Sequence, residues 1–261
     1  MRSRSPRAVL TNLFLFLACP AFATESLSTR VEVGLGFHYS RGHYGTSQVT
    51  EIDYVPLTAR LDVNQWSAKL TLPYLHISGN NSVVEGPNGP LALSGGSADG
   101  LGDLLVAGTY TFFPFAYWAP FIEFGPLLKI PTADPDKGLG TGAPDVTTEA
   151  VAARTYDRLT PFAGLGYRYV GNAPTTRLHD GFLASGGALY RLVDHVDAGC
   201  FVSWRQTATP TTGDVLDVVP FATVRITPHW LVDSYVTAGL ASGSPDVGTG
   251  VQVRYRYDSD P

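Results

Sequence analysis

Cysteine and charge are both scarce in this sequence of 261 residues. The two cysteines are Cys19 and Cys200, and Cys19 lies in an N-terminal segment that we expect to be removed. One remaining cysteine cannot form an internal disulfide, which excludes the class of small disulfide-stapled secreted domains. Charged residues make up 16% of the chain, whereas glycine (28), phenylalanine (13) and tyrosine (13) are plentiful. This balance is typical of a β-rich protein.

An excess of positive charge is also missing. Lysine and arginine number 18 against 23 acids, and three of those arginines precede residue 24. The 15 bases that remain leave a net charge of about −8, so nothing in the composition suggests nucleic-acid binding. The mean hydropathy of +0.04 argues against a helical membrane protein.

The N-terminus has the features of a secretory leader. Arg2, Arg4 and Arg7 precede the short apolar stretch AVLTNLFLFLA (8–18), and AFA (21–23) is a small-x-small cleavage site. About eleven apolar residues are too few for a helix that spans a bilayer core of roughly 30 Å. Pro20, directly after Cys19, makes a lipoprotein anchor a poor match. We therefore expect a cleaved signal peptide over residues 1–23 and one domain over 24–261.

Beyond residue 24 the dominant pattern is alternation with a period of two, which predicts β-strands. In residues 247–257, Val251, Val253 and Tyr255 share one face, while Gln252 and Arg254 share the other. Residues 30–40 show the same division into one apolar face and one face of charge and glycine. We count about twelve such segments: 30–40, 48–62, 65–78, 101–113, 118–131, 145–156, 161–171, 181–192, 195–206, 214–227, 229–241 and 247–257.

The links between these segments alternate in kind. Tight turns at 62–65, 114–117, 156–160, 193–195 and 227–229 alternate with links that are mostly longer and polar, such as 79–100. Short turns at one end and long loops at the other are typical of outer-membrane barrels. The sequence therefore predicts an all-β fold, a transmembrane antiparallel up-and-down β-barrel of about 12 strands in a bacterial outer membrane. The apolar face switches near Pro56, where we expect a β-bulge.

The tryptophans fit this arrangement. Trp66, Trp118 and Trp230 each begin a strand just after a short turn, and Trp204 ends a strand near the opposite rim. Amphipathic rings are best placed at a membrane interface, so we interpret the four as interface aromatics. The alternative is four ordinary core tryptophans.

Strict alternation predicts that many charged residues face the lumen, because a charge that faces lipid at mid-depth costs about 2–4 kcal/mol. These charges either line a water-filled pore or pair with each other and fill the interior. Both signs occur, so no strong ion selectivity follows. The predicted lumen-lining residues are Glu32, Lys69, Glu123, Lys129, Glu149, Arg168, Arg191, Asp197, Arg205, Asp217, Arg225, Asp233, Arg254 and Arg256.

The stretch KIPTADPDKGLGTGAPD (129–145) resembles several kinds of binding loop. A phosphate loop needs a Lys-Ser/Thr pair after its glycines and a following helix, and neither is present. A calcium loop needs five or more spaced oxygens, and Asp134, Asp136 and Asp145 are too few in a recognisable pattern. We expect no metal here, and we interpret the stretch as an extracellular loop folded partly over the pore.

His76 and Ser78 are two residues apart and therefore share one face of a strand. A base beside a serine could activate it for ester hydrolysis. Outer-membrane phospholipases and lipid A deacylases use such a His-x-Ser pair, followed directly by asparagine, but Gly79 intervenes here before Asn80. We expect a strand end at the polar rim, no catalytic residue and no enzyme activity.

The motifs DGLGDLLVAGTYTFF (99–113), PFIEFGPLLKIPTADPDKGLGTGAPD (120–145) and AGLGYRYVG (163–171), with LTLPYL (70–75) before them, resemble a known family. It is the outer-membrane protein family of the meta-pathway of phenol degradation. The resemblance implies an outer-membrane channel for small, hydrophobic or aromatic compounds, without catalytic residues.

We expect passive diffusion of such compounds, no cofactor, and outer-membrane lipid, a small solute and the barrel-assembly machinery as partners. A lipid esterase or deacylase on the barrel wall and a plugged structural barrel are the alternatives.

Overall fold

A computed structural model describes residues 29–79, 83–86, 89–92, 95–114, 116, 118–172, 178–209 and 211–259. It also describes two two-residue strands, Val9–Leu10 and Leu17–Ala18, which pair with each other. The predicted signal peptide over 1–23 otherwise lies outside the described residues. No helix long and apolar enough to cross a membrane occurs among the residues described.

Twelve antiparallel strands of the described chain form a closed barrel. Each strand pairs with its sequence neighbours, and the last pairs with the first from Val247↔Arg41 to Ser259↔Thr29. Closure leaves no unpaired sheet edge, which lipid could not satisfy. The strands are β1 Thr29–Gly42, β2 Thr50–Val63, β3 Trp66–Gly79, β4 Leu104–Phe112, β5 Phe121–Ile130, β6 Asp145–Ala153, β7 Leu159–Val170, β8 Gly181–Val193, β9 Val196–Arg205, β10 Val215–Arg225, β11 Trp230–Gly239 and β12 Val247–Ser259.

The connections alternate in length between the two ends of the barrel. At the end where β1 begins and β12 finishes, they span between two and eight residues; at the other end they span between seven and 24. In one of the two connections of two residues, Asn64 adopts a positive φ of 54°, a conformation that asparagine tolerates in two-residue hairpin turns. We call the end with the shorter connections the short-turn end and the opposite end the long-loop end.

The longest connection contains further strands. Val83–Gly86 and Gly89–Ala92 form a hairpin of their own, and the extra strand Gly96–Leu101 pairs with the end of β3. Between the extra strand and β4 the pairing with β3 shifts by one residue, around Gly102 and Asp103. This bulge turns the Asp103 side chain into the barrel, where it is buried.

Buried and exposed side chains alternate along the strands, strictly so in β5 and over most of β1 and β12. Outward residues such as Leu35, Leu165 and Val253 are exposed and apolar. The barrel therefore presents an apolar outer surface suited to lipid and keeps its polar groups inside.

The bulge expected at Pro56 is wrong. The register of β2 runs unbroken against β3 from Glu51↔Ser78 to Val63↔Trp66, and it is the same on both sides of Pro56 against β1. Inward residues of β2 change instead from polar to apolar near the long-loop end, where Ile52 and Tyr54 are buried in the interior. The apparent switch of faces thus reflects an apolar lumen mouth.

Candidate functional site

The interior of the barrel holds charges at all the positions that alternation selected. Lys69, Arg191 and Arg225 are partly buried, and the other predicted residues are at most 7% exposed. The buried ones are Glu32, Glu123, Lys129, Glu149, Arg168, Asp197, Arg205, Asp217, Asp233, Arg254 and Arg256.

An ion-pair network fills the interior beside β1, β11 and β12, toward the short-turn end. The Arg254 guanidinium lies 2.7 Å from a Glu32 oxygen and 2.5 Å from an Asp233 oxygen. Arg256 donates to the other Glu32 oxygen at 2.6 Å. Each charge is compensated directly, as buried ions require, so this side of the interior is packed.

A second group lies on β8, β9 and β10 near the same end. Asp197 accepts from Arg191 at 2.9 Å and lies 3.8 Å from Arg225. The Arg225 guanidinium also donates to the carbonyl of Asp194 in the adjoining turn. These contacts tie three neighbouring strands together.

A third cluster, the latch, joins the motifs that carried the family resemblance. Lys129 Nζ lies 2.6 Å from Asp145 Oδ2 and 3.7 Å from Asp103 Oδ2, and it donates to Thr141 Oγ1 at 3.0 Å. Asp103 also accepts from the Ala133 amide at 3.0 Å. Burial raises the pKa of the Asp103 carboxyl, although the Ala133 hydrogen bond and Lys129 oppose that shift. The latch fixes the loop 131–144 across the long-loop end.

The partners Asp103 and Asp145 were not among the predicted site residues. They end the motifs GLGD and GAPD, which lie on either side of Lys129 in the sequence. Two acids in motifs next to a lysine at a strand end were the sequence signal for this ion pair. Alternation places Asp145 on the inward face with Glu149, whereas Asp103 lies at the bulge, which reverses the faces relative to the extra strand.

The stretch 129–145 forms a folded cap. Asp134 Oδ1 accepts from the amides of Asp136 and Lys137, which makes a turn. Leu139 is 1% exposed and packs into the barrel mouth. Among the described residues, no group of three or more His, Cys, Asp or Glu side chains is arranged to hold a metal ion.

The mouth of the barrel at the long-loop end contains an apolar cluster. The hairpin 83–92 enters it through Val84 and Leu91, and Leu139 joins from the cap. The walls supply Ile52, Tyr54, Leu75 and Ile77, with Tyr44 from the β1–β2 loop. Burial raises the pKa of the Tyr44 hydroxyl, which donates to Ser40 Oγ at 2.7 Å and stays protonated. The hairpin therefore occupies the lumen at this level.

A recess lies beside the hairpin. Arg205 Nη1 donates to the Gly86 carbonyl oxygen at 3.3 Å, and Arg205 Nη2 lies 3.5 Å from Asp217 Oδ2. Tyr235 and Tyr54 flank His38, with ring centroids 5.4 and 5.5 Å away. The free volume of the recess is that of a few water molecules. The recess is lined by His38, Tyr39, Ser40, Tyr44, Ile52, Tyr54, Gly86, Arg205, Asp217, Tyr235, Thr237, Pro245 and Gly248.

His76 and Ser78 lie on the outer face of β3 near the long-loop end, and both are exposed. His76 is in register with Asp53 of β2 and Asp99 of the extra strand. The Tyr74 hydroxyl donates to Asp99 at 2.7 Å. Within the described chain no hydrogen bond joins His76 to Ser78, so the pair is adjacent but not assembled.

The tryptophans divide between the two ends of the barrel. Trp66 and Trp118 are about two-thirds exposed and Trp230 nearly half, all close to the short-turn end. Trp66 packs edge-on against Tyr110 at 4.7 Å, and Trp230 against Tyr255 at 5.0 Å. Trp204, near the long-loop end, donates from Nε1 to Asp214 at 3.3 Å.

No family model and no curated protein matches this sequence. Among solved structures, an outer membrane channel from Pseudomonas putida F1 is similar at a TM-score of 0.64 and 12% identity, over 90% of this chain and 97% of the channel. The KdgM porin is similar at 0.52 and 10% identity, over 85% and 98% of the two chains. The beta domain of the Bordetella autotransporter BrkA gives 0.51 and 10%, over 89% and 100%.

These identities are low, so the similarity concerns the fold. Channels and an autotransporter domain share it, and the fold alone does not distinguish their functions. A closed sheet whose outward side chains are exposed and apolar is suited to lipid. The chain is therefore a bacterial outer-membrane β-barrel with the porin-like fold of these proteins.

Proposed function

We propose that this barrel is a narrow outer-membrane channel through which small apolar or aromatic molecules diffuse passively. The observation that carries the proposal is the lumen mouth, where apolar and tyrosine side chains line the interior. Binding sites for small apolar molecules are typically concave and lined in this way. The resemblance to the outer-membrane proteins of the phenol meta-pathway supports the same class of solute.

The hairpin 83–92 sets the size limit in this proposal. Val84 and Leu91 are buried in the mouth, and the recess beside Gly86 admits only a few water molecules. A solute that passes must displace the hairpin or slip beside it. Only small molecules are therefore expected to cross, and the resting conductance is expected to be low.

Planar bilayers containing the purified barrel test the proposal. We expect small conductance steps for the full chain and larger steps for a variant that lacks residues 83–92, because the deletion clears the mouth. If neither chain conducts ions, nor carries a fluorescent aromatic solute into liposomes, the plugged structural alternative replaces the channel.

We also propose that the barrel has no enzyme activity. His76 and Ser78 share the outer face without a hydrogen bond between them in the described chain, and the asparagine expected after the serine is displaced. Mixed micelles with phospholipid or p-nitrophenyl ester substrates should show no hydrolysis that depends on Ser78. Hydrolysis that is lost in Ser78→Ala would establish the deacylase alternative instead.

The partners follow from this function: lipid around the outer face, a small solute inside and the barrel-assembly machinery during insertion. The assembly machinery stays a prediction from the barrel class.

A further inference from the structure

Glu149 differs from the other buried acids of the interior. Six inward carboxylates each have a lysine or arginine within salt-bridge distance: Glu32, Asp103, Asp145, Asp197, Asp217 and Asp233. Among the described residues, the hydrogen-bond partner of Glu149 is a hydroxyl, Ser185 Oγ at 3.5 Å, and no base pairs with it. Glu149 is only 7% exposed. Within the described chain, Glu149 is thus a buried acid that no lysine or arginine compensates.

The barrel wall around Glu149 is built largely from glycines, which carry no side chains. Its register partners on both sides are glycines, Gly125 of β5 and Gly166 of β7. A Cβ atom at Gly164 would lie 2.8 Å from Glu149 Oε1, so that glycine lets the carboxylate lie along the wall toward Ser185. A Cβ atom at Gly166 would lie 3.3 Å from the Glu149 Cβ, so the glycines of β7 keep other side chains away from this carboxylate.

The charges nearby do not neutralise it. Arg168 is the inward base on β7, one inward position closer to the long-loop end, and its Nη2 donates to the Gln206 carbonyl at 3.4 Å. Glu123, one inward position away on β5, adds a second carboxylate to this stretch of wall, with interactions of its own. A desolvated carboxylate with one long hydrogen bond is poorly compensated, and a cation would compensate it.

Aromatic rings follow on the same side of the lumen, toward the short-turn end. Phe162 and Phe201 have ring centroids 6.3 Å apart, and Phe201 and Phe221 6.0 Å apart. Phe121 is buried in the same cluster as Phe162. Aromatic faces attract both apolar groups and organic cations. The opposite side, around β1 and β12, is filled by the paired Arg254 network.

We propose that Glu149 is a cation-binding station in the lumen, and that the channel prefers small organic cations with an apolar body over anions of the same size. Such cations are protonated amines and quaternary ammonium ions. The proposal rests on the channel function and narrows its solute class. It also departs from the expectation that the lumen has no strong ion selectivity. That expectation rested on inward charges of both signs, but most of these charges are paired with each other in the structure.

Reversal potentials in planar bilayers test it with two permanently charged probes that carry the same ring. Under gradients of benzyltrimethylammonium chloride and of sodium benzenesulfonate, we expect the cation to be the more permeant ion in both. Glu149→Gln should abolish this preference, and Glu149→Asp should retain it. Glu51→Gln is the matched control, because Glu51 lies on the outer face near the rim, paired with Arg41. An anion preference, or an unchanged preference in Glu149→Gln, would overturn the proposal.

Calorimetry in detergent separates this proposal from the channel function. Benzyltrimethylammonium should bind the full chain and Glu51→Gln alike, and bind Glu149→Gln about tenfold more weakly, the loss expected for one charge-assisted contact. Equal binding by all three proteins would overturn the cation station even if the barrel conducts. Binding that depends on Glu149, in a barrel that carries no current, would retain the station and reject the channel.

Discussion

At the scale of single residues, Lys129 shows how a lumen charge becomes a structural contact. Its ammonium group is compensated by Asp145 and Asp103 and capped by Thr141. Lys129→Met leaves two buried carboxylates without their base, and removing one partner of a buried pair costs about 3–5 kcal/mol. We expect a loss of that order in the free energy of unfolding, measured with urea in detergent micelles, and faster hydrogen exchange in the loop 131–144.

Lys137→Met is the matched control, because Lys137 lies exposed in the same loop. It should leave both the unfolding free energy and the exchange of the cap unchanged. If the two variants behave alike, the ammonium group of Lys129 does not hold the loop.

At the scale of elements, the hairpin 83–92 is held by side chains rather than by the barrel sheet. Its strands pair only with each other in the described chain, and Val84 and Leu91 anchor it in the apolar mouth. The double variant Val84→Asp/Leu91→Asp should expel the hairpin, because unpaired carboxylates are costly among apolar side chains. We expect larger conductance steps with an unchanged β-sheet signal in circular dichroism.

Val106→Asp/Leu128→Asp places the same charges on the lipid-facing wall and serves as a contrast, since it should impair folding and not widen the pore. If the hairpin variant keeps the conductance of the parent chain, the hairpin does not limit passage.

Most strand positions could be predicted from the sequence, because a period of two and the turn residues both mark them. The bulge was placed wrongly, because β2 and β3 carry apolar residues on both faces near the long-loop end. The outward ones face lipid, and the inward ones pack against the hairpin. Alternation cannot tell these apart, so Ile52 and Ile77 looked like a change of face. The hairpin's entry into the lumen and the latch depend on contacts between distant segments, such as Arg205 with Gly86, which no local pattern encodes.

The charged interior was predictable by residue but not by pairing. Alternation selects Glu149 and Glu32 alike, since both occupy inward positions. Only the packed structure shows that Glu32 is held by two arginines while Glu149 meets a hydroxyl. The functional contrast between these two acids therefore arises from the neighbouring strands.

At the scale of the whole molecule, the two ends of the barrel differ in the same way as in other outer-membrane barrels. The chain begins and ends its barrel at the short-turn end, which is periplasmic in that class, and the cap and hairpin lie at the other end. We predict that the long-loop end faces the outside of the cell. This orientation would present the apolar mouth and its hairpin to external solutes.

Epitope tags measure this orientation. Gly95 and Gly96 are exposed, and a Cβ atom at Gly96 would meet no other atom within 4 Å, so a tag between them should not disturb the barrel. A second tag between Asp194 and His195 marks the tight turn between β8 and β9, where both residues are exposed. Antibody should label the first tag on intact cells and the second only after the outer membrane is permeabilised. Labelling of the 194–195 tag alone on intact cells would mean that the barrel is inserted the other way, with the apolar mouth and its hairpin facing the periplasm.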